Sequence, residues 1–196
     1  MQLFVIDCDP AAAARMLCDV HLRKMCLENA QILSALLLRR SRELLPGMPR
    51  PHILNHPVIT ALDSSFKINW ALRHNAALHR EYFRRFGKKH AFYHWHCHYH
   101  RMLGEFCREK TAPDWSFARN FKDFQTPHTG IVAAYRDYYR HKKATLKNWH
   151  YTRRAEPGWL TASSGRCELF LNVAADHHPV LDKRKVKRRD HIEGQQ

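Results

Sequence analysis

The sequence predicts an all-α, mainly helical protein, folded as a single compact domain behind a short N-terminal extended segment. Apolar residues recur at helical spacing over long stretches of the chain. Pro and Gly clusters between those stretches fall where helices start or stop. With 196 residues, 44 % of them hydrophobic, the chain can bury one sizeable core, and no internal repeat divides it.

Leu3 to Ile6 is a short apolar run, read as a strand or an extended lead-in. Asp9-Pro10 then signals a helix start, because Asp caps the free N–H groups and Pro suits the first helical position. The spacing predicts one long helix from Pro10 to about Leu45, broken by Pro46, Gly47, Pro49 and Pro51. Asn55-His56-Pro57 opens a second, carrying Ile59, Leu62, Phe66, Trp70, Leu78 and Tyr82 and stopping near Gly87. A third runs from about Ala91 to Lys110. Residues 111–127 form a long loop rich in aromatics, either functional or pinned to the core by its rings. The last clear helix runs from about Thr129 to Trp149. Residues 1–160 make the helical domain, and 161–196 a basic tail expected to be mobile, with the run Lys183 to Arg189 available for phosphate contacts.

Charge narrows the partners. Lys and Arg number 33 against 18 Asp and Glu, a net charge of +15, with 16 His besides. Such a surplus attracts polyanions, and nucleic acid is the expected partner. The N-terminus lacks a basic n-region and its apolar run is too short for a secretion signal. No apolar stretch can span a bilayer, so no membrane partner is expected. The cysteines form no CxxC pair and no small disulfide scaffold. Reduced thiols in a cytoplasmic compartment follow.

The most informative pattern lies on the first helix. At about 100° per residue, His21, Lys24, Glu28 and Gln31 fall within roughly 40° of the direction of Leu17. Leu22, Met25, Cys26, Ile32, Leu33 and Leu36 flank this band on one side; Met16, Val20 and Leu27 flank it on the other. Asp19 and Arg23 mark the expected solvent direction. Charged groups along a line among apolar neighbours have perturbed pKa values unless paired or solvated in a cleft, which suits acid–base or nucleophilic chemistry. The alternative is a buried Lys24–Glu28 pair beside a satisfied His21, serving structure only.

The stretch HAFYHWHCHYH crowds His90, His94, His96, Cys97, His98 and His100 together. On a helix, His90/His94/His98 and His96/His100 make i, i+4 ladders of the kind that bind Zn²⁺. Neither HExxH nor a second cysteine pair accompanies them, so structural or phosphate-contacting histidines are the expectation, with no metal and no cofactor.

The segment Cys18-Asp19-Val20-His21, followed by Glu28, resembles the phage pyrimidine-dimer DNA glycosylase family, also called endonuclease V. That family carries Asp-x-His near its N-terminus and its catalytic Glu at the separation seen between His21 and Glu28. Ile53-Leu54-Asn55-His56 before a helix ending Arg84-Arg85-Phe86-Gly87 is similar to its second helix, and Tyr135-Arg136 to Trp149 to its C-terminal helix and aromatic tail. The opening FVIDCDP, the CDxHxxKMxxE segment and the Phe-Gly-Lys-Lys-His end look like a longer phage and bacterial branch of the group. The resemblance implies a compact helical fold, DNA as substrate and no metal. It also implies chemistry through the α-amine of an N-terminal Thr, which attacks C1′, expels the base and leaves a Schiff base that goes on to β-elimination.

This chain departs from the family by starting Met1-Gln2, with additional residues ahead of His21. Three versions of the chemistry stand open. Lys24 supplies the amine, one turn from Glu28; Glu28 activates water, with His21 as acid or orienter; or Met1 supplies the amine because the N-terminal segment folds back. In each, Glu28, His21 and Lys24 are the catalytic candidates, and Gln31, His56, Arg23 and Trp115 the substrate-binding ones. Extruding a base from a duplex costs a few kcal/mol, and the loop from Trp115 to Phe124 is a candidate wedge. The reading is a DNA N-glycosylase, with or without strand nicking, on a damaged or modified base. A non-catalytic DNA-binding protein of the same fold and an enzyme acting on free nucleosides or nucleotides are the competing classes.

Overall fold

A computed structural model describes residues 1–108, 111–122 and 124–161. Among them the regular elements are all helical: α1 (Pro10–Met16), α2 (Asp19–Arg39), α3 (Pro57–Thr60), α4 (Ser65–Phe86), α5 (Trp95–Leu103), α6 (Ile131–Thr145) and α7 (Gly158–Thr161), with a 3₁₀ turn at Gly104–Cys107. No described helix is long and apolar enough to cross a membrane. The basic run of the expected tail lies outside the described residues.

α2 is the central element. It packs on α4, α5 and α3, while α1 packs on α4. Buried residues lie around most of its circumference. α4 is better sided. Ser64 caps its start by accepting from Lys67 N, and it ends at Gly87 in a left-handed conformation (φ 67°) whose N–H returns to Phe83 O. A β-carbon there would strain the backbone, so Gly sets the stop.

The single helix expected from Pro10 to about Leu45 is corrected by the structure. It is two helices, the second ending at Arg39, with a break at Leu17 and Cys18, both extended (ψ 138° and 163°). The break has distant partners. Arg85 of α4 donates to Leu17 O (2.7 Å) and Arg15 O (2.8 Å), and Cys18 N donates to Tyr139 Oη (2.8 Å). These contacts satisfy backbone groups that a continuous helix would pair locally.

The second expected helix is likewise divided. His56 caps the one-turn α3 through Nδ1, which accepts from Val58 N at 3.2 Å, and the chain restarts at Ser65. The third begins at Trp95 rather than Ala91, and the last covers Ile131–Thr145.

Leu3, Phe4, Val5 and Ile6 are all buried. The run is not a regular strand, because Phe4 takes a left-handed φ of 49° and Ile6 N donates back to Phe4 O (2.7 Å). This kinked segment packs against α6, with Phe4 near Tyr135, Tyr138 and Tyr139. Arg136 secures it by donating to Ile6 O (2.8 Å) and pairing with Asp7 (3.1 Å).

Candidate active site

The kinked N-terminal segment delivers the first two residues to the side of α2. Gln2 N donates to Glu28 Oε2 at 3.2 Å, while Lys24 Nζ lies 3.4 Å from Oε1. The two oxygens are thus held from opposite partners. Glu28 is only 14 % exposed in its side chain, and Lys24 is 65 % exposed. Lys24 therefore reaches solvent at the rim of the site, in contrast to the apolar setting expected for it.

Asn120, from the long loop, closes the other side. Its side-chain amide donates to Met1 O (3.4 Å) and lies 3.1 Å from His56 Nε2, and its backbone carbonyl accepts from the Gln2 side chain. Tyr135 Oη donates to Ala118 O at 2.9 Å and lies 3.3 Å from Gln2 Oε1. One residue of chain spans at most about 3.6 Å, which puts the Met1 amine within about 7 Å of Glu28 Oε2. Desolvation lowers the pKa of His56. The charged N-terminus lowers it further, while Glu28 acts in the opposite direction. Amine, carboxylate and imidazole thus share one electrostatic neighbourhood.

Beside this cluster lies an open cleft of about 520 Å³ lined by Arg119, Asn120, Phe121, Lys122, Phe124, Gln125 and Thr126. Asn120 belongs both to the cleft and to the group holding the N-terminus. The cleft brings basic and aromatic side chains together, a combination that suits a nucleic-acid strand.

His21 shares the α2 face of Glu28 but sits two turns away, about 10 Å along the axis. It is boxed by Phe4 (centroids 4.8 Å), Tyr139 (5.2 Å) and Trp149 (5.5 Å), and its Nδ1 is buried without a hydrogen-bond partner. Burial, reinforced by the charges of Lys24 and Lys142, lowers its pKa to about 4. A neutral imidazole packed on Phe4 supports the segment that carries Gln2.

Gln31, one turn beyond Glu28, donates to Arg50 O at 3.2 Å. Arg23 lies on another face of α2, its guanidinium 4.4 Å above the Phe86 ring. Trp115 packs edge-on against Phe66 (4.9 Å) and beside Phe117 (6.1 Å). Of the aromatics in that loop, Phe121 and Phe124 are the ones that line the cleft.

Asp19 corrects another expectation. Placed on the solvent side by helical spacing, it is buried. It pairs with Arg85 (3.0 Å), accepts from Thr152 N and Oγ1, and lies 3.1 Å from His150 Nε2. The segment after α6 covers this end of α2. Burial raises the Asp19 pKa, but hydrogen bonds from Thr152 and Arg85 outweigh it and leave a net lowering. Arg85 also pairs with Glu81 (2.7 Å), which Arg154 holds from the other side (2.7 Å).

The His90/His94/His98 ladder does not form, because His90 lies in the turn before α5 and His94 is the helix cap. His79 of α4, unnoticed in the sequence, meets this segment instead. It is buried with both ring nitrogens unpartnered, its ring centroid 5.7 Å from that of His90. Burial and the neighbouring histidine charges push its pKa down to about 3.

Residues 1–94 match the model of the family described as pyrimidine dimer DNA glycosylase. The match spans α1 to α4 and takes in Met1, Gln2, His21, Lys24, Glu28 and His56. It supports the resemblance carried by Asp19, His21 and Glu28. Searches among curated proteins and among solved structures gave no match.

Proposed function

We propose that this chain, related through residues 1–94 to the pyrimidine dimer DNA glycosylases, cleaves the glycosidic bond of a damaged pyrimidine in DNA, using the α-amine of Met1 and the carboxylate of Glu28. The observation that carries the reading is the return of the N-terminal segment onto Glu28, with Gln2 N at 3.2 Å from Oε2. It favours the Met1 version of the chemistry over the other two and takes Met1 as the free N-terminus.

The neutral amine attacks C1′ of the damaged nucleotide. The C1′–N bond breaks, its electron pair leaves with the base, and the base takes up a proton from solvent. A proton from the amine passes to the Glu28 carboxylate, which returns it to the sugar-ring oxygen as the ring opens. The product is a Schiff base between Met1 and C1′. Loss of a C2′ proton then expels the 3′ phosphate and nicks the strand. His21 acts through packing on Phe4, Asn120 and His56 orient the first residue, and the cleft with Arg119 and Lys122 receives the backbone.

Lys24 is the competing amine, being exposed and 3.4 Å from Glu28. Borohydride trapping on abasic and UV-irradiated duplexes, with the adduct mapped by peptide mass, separates the readings. The expected adduct is on Met1 and persists in Lys24→Ala. An adduct on Lys24 would transfer the nucleophile to that residue. Base release without any adduct would indicate water as nucleophile. Tight DNA binding with neither product would make the chain a binding protein.

A further inference from the structure

On the far side of α2 from Glu28 a second constellation of reactive side chains is buried. Cys26 and Glu28 are two residues apart, about 200° around the helix, so they face different neighbours. Cys26 faces α4 and the turn that follows it. Its sulfur and one ring nitrogen each from His79 and His90 all lie within 4.8 Å of one another.

Three features distinguish this group from an ordinary core contact. His79 is 1 % exposed, and neither of its ring nitrogens has a hydrogen-bond partner. A buried imidazole with both nitrogens idle forfeits interactions that nearly all buried polar groups make. The three residues also come from separate pieces of structure: α2, α4 and the turn between α4 and α5. Finally, the donor set is one sulfur and two imidazoles, which suits a borderline-soft cation in tetrahedral geometry.

We propose that Cys26, His79 and His90 bind a zinc ion that fastens the 88–94 turn to the α2–α4 pair. Three protein donors leave a fourth position, completed by water or by His96, whose ring centroid lies 6.5 Å from that of His79. Binding converts the Cys26 thiol to a thiolate and releases its proton to solvent. His90 Nδ1 accepts from Phe92 N at 3.3 Å, a long contact that is given up when the imidazole spends its one free lone pair on the ion. The ion holds this turn as Tyr99, sharing a 2.8 Å hydrogen bond with Ser34, holds α5. The site is structural and separate from the glycosidic chemistry, and it stands or falls independently of that reading.

The test is metal analysis of reduced, tag-free full-length protein grown with added zinc, followed by cobalt substitution. The expectation is about one zinc per chain, and a cobalt spectrum with a thiolate charge-transfer band and the intense visible bands of tetrahedral coordination. Cys26→Ser should abolish the thiolate band, whereas Cys97→Ser, at an exposed cysteine beside His96, should leave it. Because Cys26→Ser alters the core, His90→Ala in the half-buried turn provides a second variant, expected to weaken zinc affinity more than about tenfold. No bound zinc together with no thiolate band on cobalt addition would overturn the proposal. So would a band lost in Cys97→Ser and kept in Cys26→Ser.

Discussion

Gln2 N and Glu28 Oε2 are 3.2 Å apart, although 26 residues of sequence separate them. The contact orients the carboxylate and brings the chain terminus to it, joining the two groups the proposed chemistry requires. Glu28→Gln keeps the volume and an acceptor oxygen but removes the proton-accepting charge. Single-turnover base release should fall by about 10²–10⁴, the range for a general acid–base group, while DNA affinity stays close to wild type. Rapid-quench kinetics beside a binding isotherm measure both, and an unimpaired rate would remove Glu28 from the mechanism.

The Asn120 side-chain amide donates to Met1 O and approaches His56, so Asn120→Ala should loosen the terminus without disturbing the core. A net hydrogen bond is worth about 1 kcal/mol, and loss of the pair should slow adduct formation by roughly tenfold or more. Thermal stability should change little. Because the effect is on positioning, the rate should recover partly in Asn120→Gln, which keeps an amide N–H to offer Met1 O and His56. Equal slowing in both variants with a large stability loss would mark a merely structural residue.

Local pattern in the sequence was enough to indicate the helical class, the Gly87 stop and the shared face of His21, Lys24 and Glu28, because helical periodicity and capping act within a few residues. It failed where the decisive partner is remote. Leu17 and Cys18 leave the helix because Arg85 and Tyr139 supply alternative partners, and neither can be found by reading residues 10–45. Asp19 falls on the polar side of the helical wheel, yet the 150–152 segment closes over it. Cys26 and His79 each look like unremarkable core positions, and only packing of α2 on α4 joins them. Fold-back of the N-terminus had a faint signal in the apolar run Leu3 to Ile6, which must be buried somewhere.

Arg85→Met tests the buried ionic network at the α1–α2 break. The substitution removes the guanidinium that serves Asp19, Glu81 and two backbone carbonyls, leaving buried acceptors short of donors. Breaking a buried pair by deleting one partner costs about 3–5 kcal/mol. Thr152 and Arg154 still hold the two carboxylates, which places the expected loss toward the lower end. Urea unfolding gives the number, and a change within about 0.5 kcal/mol, the scale of ordinary surface substitutions, would refute the role assigned to Arg85.

Lys122 lines the open cleft beside Asn120. If that cleft carries the DNA backbone, Lys122→Ala should weaken binding similarly for damaged and undamaged duplexes and reduce the salt slope by about one. Fluorescence anisotropy over a series of salt concentrations is the measurement. Discrimination between lesion and normal DNA should be preserved. An unchanged slope would place the backbone elsewhere on the basic surface.

Acid should destabilise the protein through its buried histidines. His74 is fully buried, with Nδ1 3.0 Å from Pro10 O, and burial lowers its pKa to about 4; His21 is held down to about 4 by burial and the charges of Lys24 and Lys142. An unfolded histidine titrates near 6.5, so between about 6.5 and 4 the unfolded chain binds the additional protons. The contribution is therefore fully present above about 6.5 and is lost as pH falls toward 4, by at most roughly 1.4 kcal/mol per pH unit for each histidine. Asp19 and Glu81, whose folded pKa values are also lowered, add their own loss at still lower pH, as the carboxylates protonate. Urea midpoints measured from pH 7.5 to 4.5 should slope downward with acid, and His74→Gln should flatten that slope whatever its effect at neutral pH. A slope unaffected by the substitution would show that His74 accepts its proton within the folded state.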